Sequence, residues 1–273
     1  MAQSPLNPPL YIHNQGQGRD IVLLHGWGVN SAVFSPLADE LQALHCRVHL
    51  VDLPGFGDSA SVENNLDTWV QTLIEQLPER AIWMGWSLGG LLATHIANQF
   101  PQHVSALVTI ASSPCFMARE ASDNQAAWAG IPPKVLHQFS SLLVNDPVKT
   151  IEQFLAIQAM GSPHAKADIK RIKQLVLAKP HADVSALTFG LSLLATLDLR
   201  PQQGNIHQPW LRIWGKLDCL VPRKIIRQLH QASNISDVII NKASHAPFIS
   251  HKEEFNQQLT DWLTQKALIK TTT

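Results

Sequence analysis

Gly85-Trp86-Ser87-Leu88-Gly89 sets a serine between glycines two positions away on either side. A serine hydroxyl is a weak nucleophile near neutral pH, so it needs a base within hydrogen-bond reach, and the base needs a group to orient it. The pentapeptide fits G-x-S-x-G, the sharp strand-to-helix turn that lifts a nucleophile above a parallel sheet. Its surroundings agree: residues 81–86 (AIWMGW) read as a buried strand and 88–100 as a helix of small and apolar residues closed by Pro101. Gly90 gives that helix further room against neighbouring strands. Acid and base are expected later in the chain, in that order. Asp218 lies just past a predicted strand ending at Trp214-Gly215, and His245 just past one ending near Asn241. Both therefore fall at the carboxyl edge of a parallel sheet, where such folds assemble their sites. His25-Gly26-Trp27-Gly28 follows the first strong strand, at the place for a second oxyanion donor. The Trp27 and Leu88 backbone N–H groups would then hold the tetrahedral oxyanion, and losing one such donor typically costs about 3–4 kcal/mol.

The chain has 13 histidines and more than one strand-end acid that could compete for these roles. His251 and His230 fall in predicted helices as surface positions, and His25 reads as structural. Asp52 also ends a strand and reads as a brace for the Pro54-Gly55-Phe56-Gly57 loop, leaving Asp218 as the acid. Cys115 and Cys219 read as small buried hydrophobes. His45 and His49 lie in or beside one strand, where four residues span about 13 Å, too far for one ion. No metal or cofactor site is expected.

The elements that must position these groups alternate. Strands are predicted at 20–25, 46–53, 81–86, 104–111, 209–214 and 237–241. Between and after them come helices at 31–44 (with Ser31 as cap), 66–77, 88–100, 222–231 and 248–265. Such alternation argues for an α/β fold, a mostly parallel central sheet flanked by helices. From 113 to 198 the rhythm changes to four helical patterns, near 132–144, 147–160, 163–179 and 183–197, three of them opening with proline. The expected division is a core of residues 1–112 and 199–273 carrying an inserted helical block of residues 113–198, which packs over the sheet edge.

The chain has 273 residues, 21 Lys+Arg against 21 Asp+Glu, and 45% hydrophobic residues. That excludes a disordered chain and gives no electrostatic case for nucleic-acid binding. No apolar run approaches the roughly 18–20 residues a membrane helix needs. Prolines interrupt MAQSPLNPPLYIHN where an export signal would be apolar, and three cysteines fit free thiols. A cytoplasmic monomer is expected. Charge is uneven locally: residues 161–179 hold Lys166, Lys170, Arg171, Lys173 and Lys179 against Asp168 alone. Ala165, Ile169, Ile172 and Val176 form the opposing, inward face at helical spacing. By pattern alone the basic face is a solvated helix surface, which Lys149 could extend. Phe154, Leu155, Ile157 and Met160 read as packing residues.

The segments LLHGWG (23–28), LVDLPGFG (50–57), GWSLGG (85–90), SSPCF (112–116), FLAIQAMG (154–161), LVPRK (220–224) and ASHAPFISH (243–251) resemble the α/β-hydrolase superfamily. Within it they resemble the family of pimeloyl-[acyl-carrier protein] methyl ester esterases of biotin synthesis. The resemblance implies a serine carboxylesterase with Ser87 as nucleophile, Asp218 as acid and His245 as base. It implies a pocket lined by Trp27, Leu88, Phe154, Leu155, Ala156, Ile157 and Gln158. An acidic acyl-carrier protein would dock on the basic lid face of Lys149, Lys166, Lys170, Arg171 and Lys173. Residues 120–129 depart from the family pattern by their length, which bears on lid shape. Two alternatives stay open: a broad short-chain esterase, thioesterase or acyltransferase on the same scaffold, and a hydrolase-fold binding module without turnover. A dehalogenase is disfavoured, because its elbow carries a carboxylate.

Overall fold

A computed structural model describes residues 10–121 and 126–269. The threonine tail at 271–273 and part of the 120–129 stretch lie outside the described residues. Seven strands form one sheet in the order β1-β3-β2-β4-β5-β6-β7. They are β1 (Ile12–Gly16), β2 (Arg19–Leu24), β3 (Cys46–Val51), β4 (Ala81–Trp86), β5 (Val104–Ile110), β6 (Trp210–Gly215) and β7 (Ile235–Ile240). All neighbours pair in parallel except β1, which runs antiparallel to β3 at one edge. The central strands are mostly apolar because helices cover both faces. On one face Val22, Leu24, Trp83 and Leu107 pack with α2 (Leu66–Gln76) and α3 (Leu88–Gln99). On the other Ile21, Leu23, Met84 and Val108 pack with α1 (Ser35–Ala43) and the C-terminal helix.

Between β5 and β6 the chain leaves the sheet and forms α4 (Pro133–Asn145), α5 (Pro147–Ala159), α6 (Ala165–Val176) and α7 (Val184–Thr196). This helical block is continuous with the core: Phe154, Leu187 and Leu191 join the same apolar cluster as Trp27 and Leu88. No helix among the described residues is long and apolar enough to cross a membrane.

Four sequence expectations change. The 31–44 helix opens as a 3-10 turn over Ser31–Phe34, and its cap is Asn30, whose Oδ1 accepts the Ala32 N–H, rather than Ser31. Residues 222–231 hold only a 3-10 turn, Arg223–Gln228. The last helix divides into α8 (Pro247–Ser250) and α9 (Lys252–Gln265), because His251 has an extended φ of −135° and Glu253 and Glu254 open a new first turn. Strand β1 was not anticipated.

Candidate active site

Ser87 stands where β4 ends and α3 begins, with φ 54° and ψ −117°, a conformation a non-glycine residue holds only when its surroundings fix it. Its N–H donates to the Ile110 carbonyl (3.0 Å), and its carbonyl accepts from Ser112 Oγ (2.8 Å). The flanking glycines are forced by crowding: a Cβ at Gly85 would lie 2.2 Å from the Gly89 carbonyl oxygen, and one at Gly89 would lie 2.1 Å from that of Leu24. Small residues thus let the α3 N-terminus press against β2, and Ser87 is held at the carboxyl edge.

The loops after β6 and β7 bring the other two groups together. Asp218 Oδ1 accepts the Leu220 and Val221 N–H groups (2.8 and 2.9 Å), while Oδ2 accepts from His245 Nδ1 at 2.8 Å. With Nδ1 carrying the proton, Nε2 is left as the basic nitrogen. Trp86 Nε1 donates to the His245 carbonyl (2.7 Å), tying this loop to the strand that ends at the serine. Ser87 Oγ and His245 Nε2 are both buried without a hydrogen-bond partner among the described residues. Ser87 is 1% exposed and His245 0%.

The helical block supplies the roof. Phe154 meets the Trp27 ring edge-on at 4.8 Å, and Trp27 Nε1 donates to the Leu187 carbonyl (2.8 Å). The Gln158 carbonyl accepts from the His245 N–H (3.2 Å) and from Ser244 Oγ (2.9 Å), so the end of α5 is bonded to the histidine loop. Leu155 faces the other core cluster, and Ala156 and Ile157 line a cavity of about 860 Å³ between α4 and α5. The backbone N–H groups of Trp27 and Leu88 donate to no acceptor among the described residues. Of the sequence-predicted residues, Asp218 and His245 are hydrogen-bonded to each other, Trp27 packs on Phe154 and the Gln158 carbonyl holds the histidine loop, whereas Leu155, Ala156 and Ile157 turn partly away.

The rivals are accounted for. His25 Nδ1 donates to the Gly26 carbonyl (2.8 Å) and Nε2 accepts the Leu53 N–H (3.0 Å), which leaves neither nitrogen for chemistry. Burial pushes its pKa down to about 4. Asp52 accepts from the Ser31 and Asp58 N–H groups (2.8 and 2.9 Å), bracing the loop that follows it as the sequence suggested. Burial pushes the Asp52 carboxyl up, but His25, Lys179, Ser31 and Asp58 together outweigh it and hold it below its ordinary value. His49 is bound to Asn14 and Asp20 within the sheet edge. Cys115 is buried as expected, whereas Cys219 is exposed, because its loop turns outward after Asp218.

The basic helix also needs correction. Lys173 pairs with Glu152 at 2.6 Å, and Lys179 is withdrawn into the protein against Asp52 (2.7 Å) and Asp58 (3.2 Å). Lys149, Lys166, Lys170 and Arg171 remain exposed and outside the ion pairs of the described residues. Asn30, Lys179 and Leu187 also touch the site's loops, which their sequence positions did not reveal. Only Asn30 carried a usable signal, its cap position before Ser31-Ala32.

Residues 21–252 match the model of the α/β hydrolase fold family. The chain is 58% identical over 258 residues to the pimeloyl-[acyl-carrier protein] methyl ester esterase of Shewanella sp. (strain MR-7), covering 94% of this chain and 96% of the relative. It is 57% identical to the protein of that name from Shewanella oneidensis, over 97% of this chain and 98% of the relative. The chain belongs to this esterase family of the α/β hydrolase fold. An esterase from Exiguobacterium antarcticum superposes on this hydrolase with a TM-score of 0.80 at 22% identity, covering 93% of this chain and 95% of that one, a likeness of fold. The elbow, acid loop and histidine loop of the hydrolase all rise from the carboxyl ends of β4, β6 and β7, on the side its helical block covers.

Proposed function

We propose that this hydrolase cleaves the methyl ester of pimeloyl-[acyl-carrier protein], releasing methanol and pimeloyl-[acyl-carrier protein] in biotin synthesis, as a cytoplasmic monomer. The observation that carries this reading is the Asp218–His245 bond beside a buried elbow serine, in a chain of this esterase family. His245 Nε2 takes the Ser87 proton as Oγ attacks the ester carbonyl. The Trp27 and Leu88 N–H groups hold the oxyanion. Collapse expels methoxide, which takes the proton from His245 and leaves as methanol. Water then adds to the acyl-enzyme, giving its proton to His245, and the free carboxylic acid departs as Ser87 is reprotonated. Asp218 keeps the imidazole in its productive tautomer throughout.

In this reading residues 113–198 are a lid on a core of 1–112 and 199–273. The acyl chain lies beneath it against Trp27, Leu88, Phe154 and Gln158. The carrier rests outside on Lys149, Lys166, Lys170 and Arg171, which make no ion pair among the described residues; Lys173 is less available because Glu152 holds it. The test is to incubate the protein with methyl pimeloyl-carrier and weigh the intact carrier. A mass loss of one methylene, absent with Ser87→Ala, supports the reading. Loss of the whole acyl group would make this a thioesterase, and an unchanged carrier would refute the substrate.

A further inference from the structure

The chain between α6 and α7 is sewn to the core by a row of polar contacts. Asn30 Nδ2 donates to the Val176 carbonyl (2.9 Å), the Asp183 N–H to the Gly55 carbonyl (2.8 Å), and Ser61 Oγ to Asp183 Oδ2. Trp27 Nε1 closes the row at Leu187. Lys179 brings the charge to this seam. Its side chain is 13% exposed, and Nζ lies 2.7 Å from Asp52 Oδ2, 3.4 Å from Ser31 Oγ and 3.4 Å from the centroid of the Tyr11 ring. Asp52 is fully buried, and Lys179 is its only ion-pair partner among the described residues.

That pair reaches the chemistry through the loop of residues 25–31. The loop is pinned at its start by His25, bonded to Gly26 and Leu53, and at its end by the Ser31 N–H on Asp52 Oδ1. Trp27 lies between the pins, so the position of one buried carboxylate helps set where its N–H points. A buried carboxylate deprived of its counter-charge must take a proton or admit water, and either change loosens its bonds.

We propose that Lys179 is a positioning residue for ester cleavage: reaching from the lid, it neutralises Asp52 and fixes the loop that carries the Trp27 oxyanion donor. The role rests on the reading of Trp27 as that donor. It ties the contact between the helical block and the core to oxyanion stabilisation, since the same ammonium makes that contact and completes the loop's anchor. An oxyanion contact strengthens in the transition state, so its loss shows in kcat and leaves KM nearly unchanged.

The experiment compares wild type, Lys179→Met, Lys179→Arg and Ser87→Ala on p-nitrophenyl butyrate, with active sites counted by fluorophosphonate titration. Lys179→Met should lower kcat per titrated site by about 10–100-fold with KM within about twofold. Affinity for a trifluoromethyl ketone, which forms an oxyanion on the serine, should fall by a similar factor. Lys179→Arg, which keeps the charge, should recover most of kcat. A purely structural lysine would lower the number of titratable sites and leave kcat per site intact, and that result overturns the proposal. So does a loss in KM alone, or a kcat loss that ketone affinity does not follow. If Lys179→Met does not fold, Lys179→Gln is judged by the same criteria. Full activity in Ser87→Ala would instead overturn the underlying catalytic reading; an inactive Ser87→Ala beside a fully active Lys179→Met overturns the role of Lys179 alone.

Discussion

Acid should destabilise this protein through His25 before it reaches the carboxylates. The ring is completely buried, with its Nδ1 proton on the Gly26 carbonyl and Nε2 facing the Leu53 N–H. Protonating Nε2 would set one donor against another. Burial, the largest effect, takes the pKa from 6.5 to about 4, against the opposing pull of the Asp52 carboxylate. A group whose folded pKa lies below its unfolded one binds fewer protons when folded. Its contribution is therefore intact above pH 6.5 and is lost as pH falls toward 4. At 1.36 kcal/mol per pKa unit, moving from pH 7 to pH 5 removes about 2 kcal/mol, and the whole interval about 3 kcal/mol. Urea unfolding at the two pH values checks this with wild type and His25→Gln. The variant should be less stable at pH 7, because glutamine cannot reproduce both bonds in place. Between pH 7 and pH 5, however, it should lose about 2 kcal/mol less than wild type. Equal losses in the two proteins would refute the reasoning, as would an NMR titration in which the His25 ring of the folded protein protonates near 6.5.

Asp218→Asn should fold normally and lower kcat by about 10³–10⁴-fold, because an amide no longer selects the Nδ1-protonated tautomer; steady-state kinetics beside a melting curve decide it. Gly89→Ala should cost more than about 4 kcal/mol or fail to fold, since its Cβ would lie 2.1 Å from the Leu24 carbonyl oxygen. A denaturant midpoint close to wild type would refute that. Raising ionic strength from about 0.05 to about 0.3 M should raise KM for the carrier-bound ester several-fold and leave a free short-chain ester unaffected. A parallel rise for both esters would remove the electrostatic docking surface.

Most of the parallel strands were legible because they are short, largely apolar runs closed by a turn residue, although β7 is partly exposed. Strand β1 was not, for it is an edge strand with the sequence IHNQG, whose pairing comes from β3 and not from its own composition. The last helix was legible as helical but not as broken, although the acidic pair after His251 marks a helix start. Ser87, Asp218 and His245 could be named as candidates because chain order and strand ends constrain them tightly, and the fold puts Ser87 at the elbow and joins Asp218 to His245. Lys179 could not. Its neighbours in sequence place it among surface cations, and only the fold brings Asp52, more than a hundred residues away, against its ammonium. Nor was the outlook of Ala156 and Ile157 legible: both line the space between α4 and α5, and helical position alone does not say which side of α5 faces the serine.

The depth of Ser87 has a consequence of its own. The proposed substrate offers two acyl bonds of comparable reactivity, a methyl ester at the free end of the chain and a thioester at the tethered end. A nucleophile at the surface would meet both. With Ser87 1% exposed beneath the helical block, the proposed reading would have only the leading end of the chain reach the hydroxyl, while the tethered end would stay outside with its bulky carrier. Burial then works as a ruler. The enzyme would tell the two bonds apart by how far each lies from the carrier, with no need to recognise oxygen against sulfur.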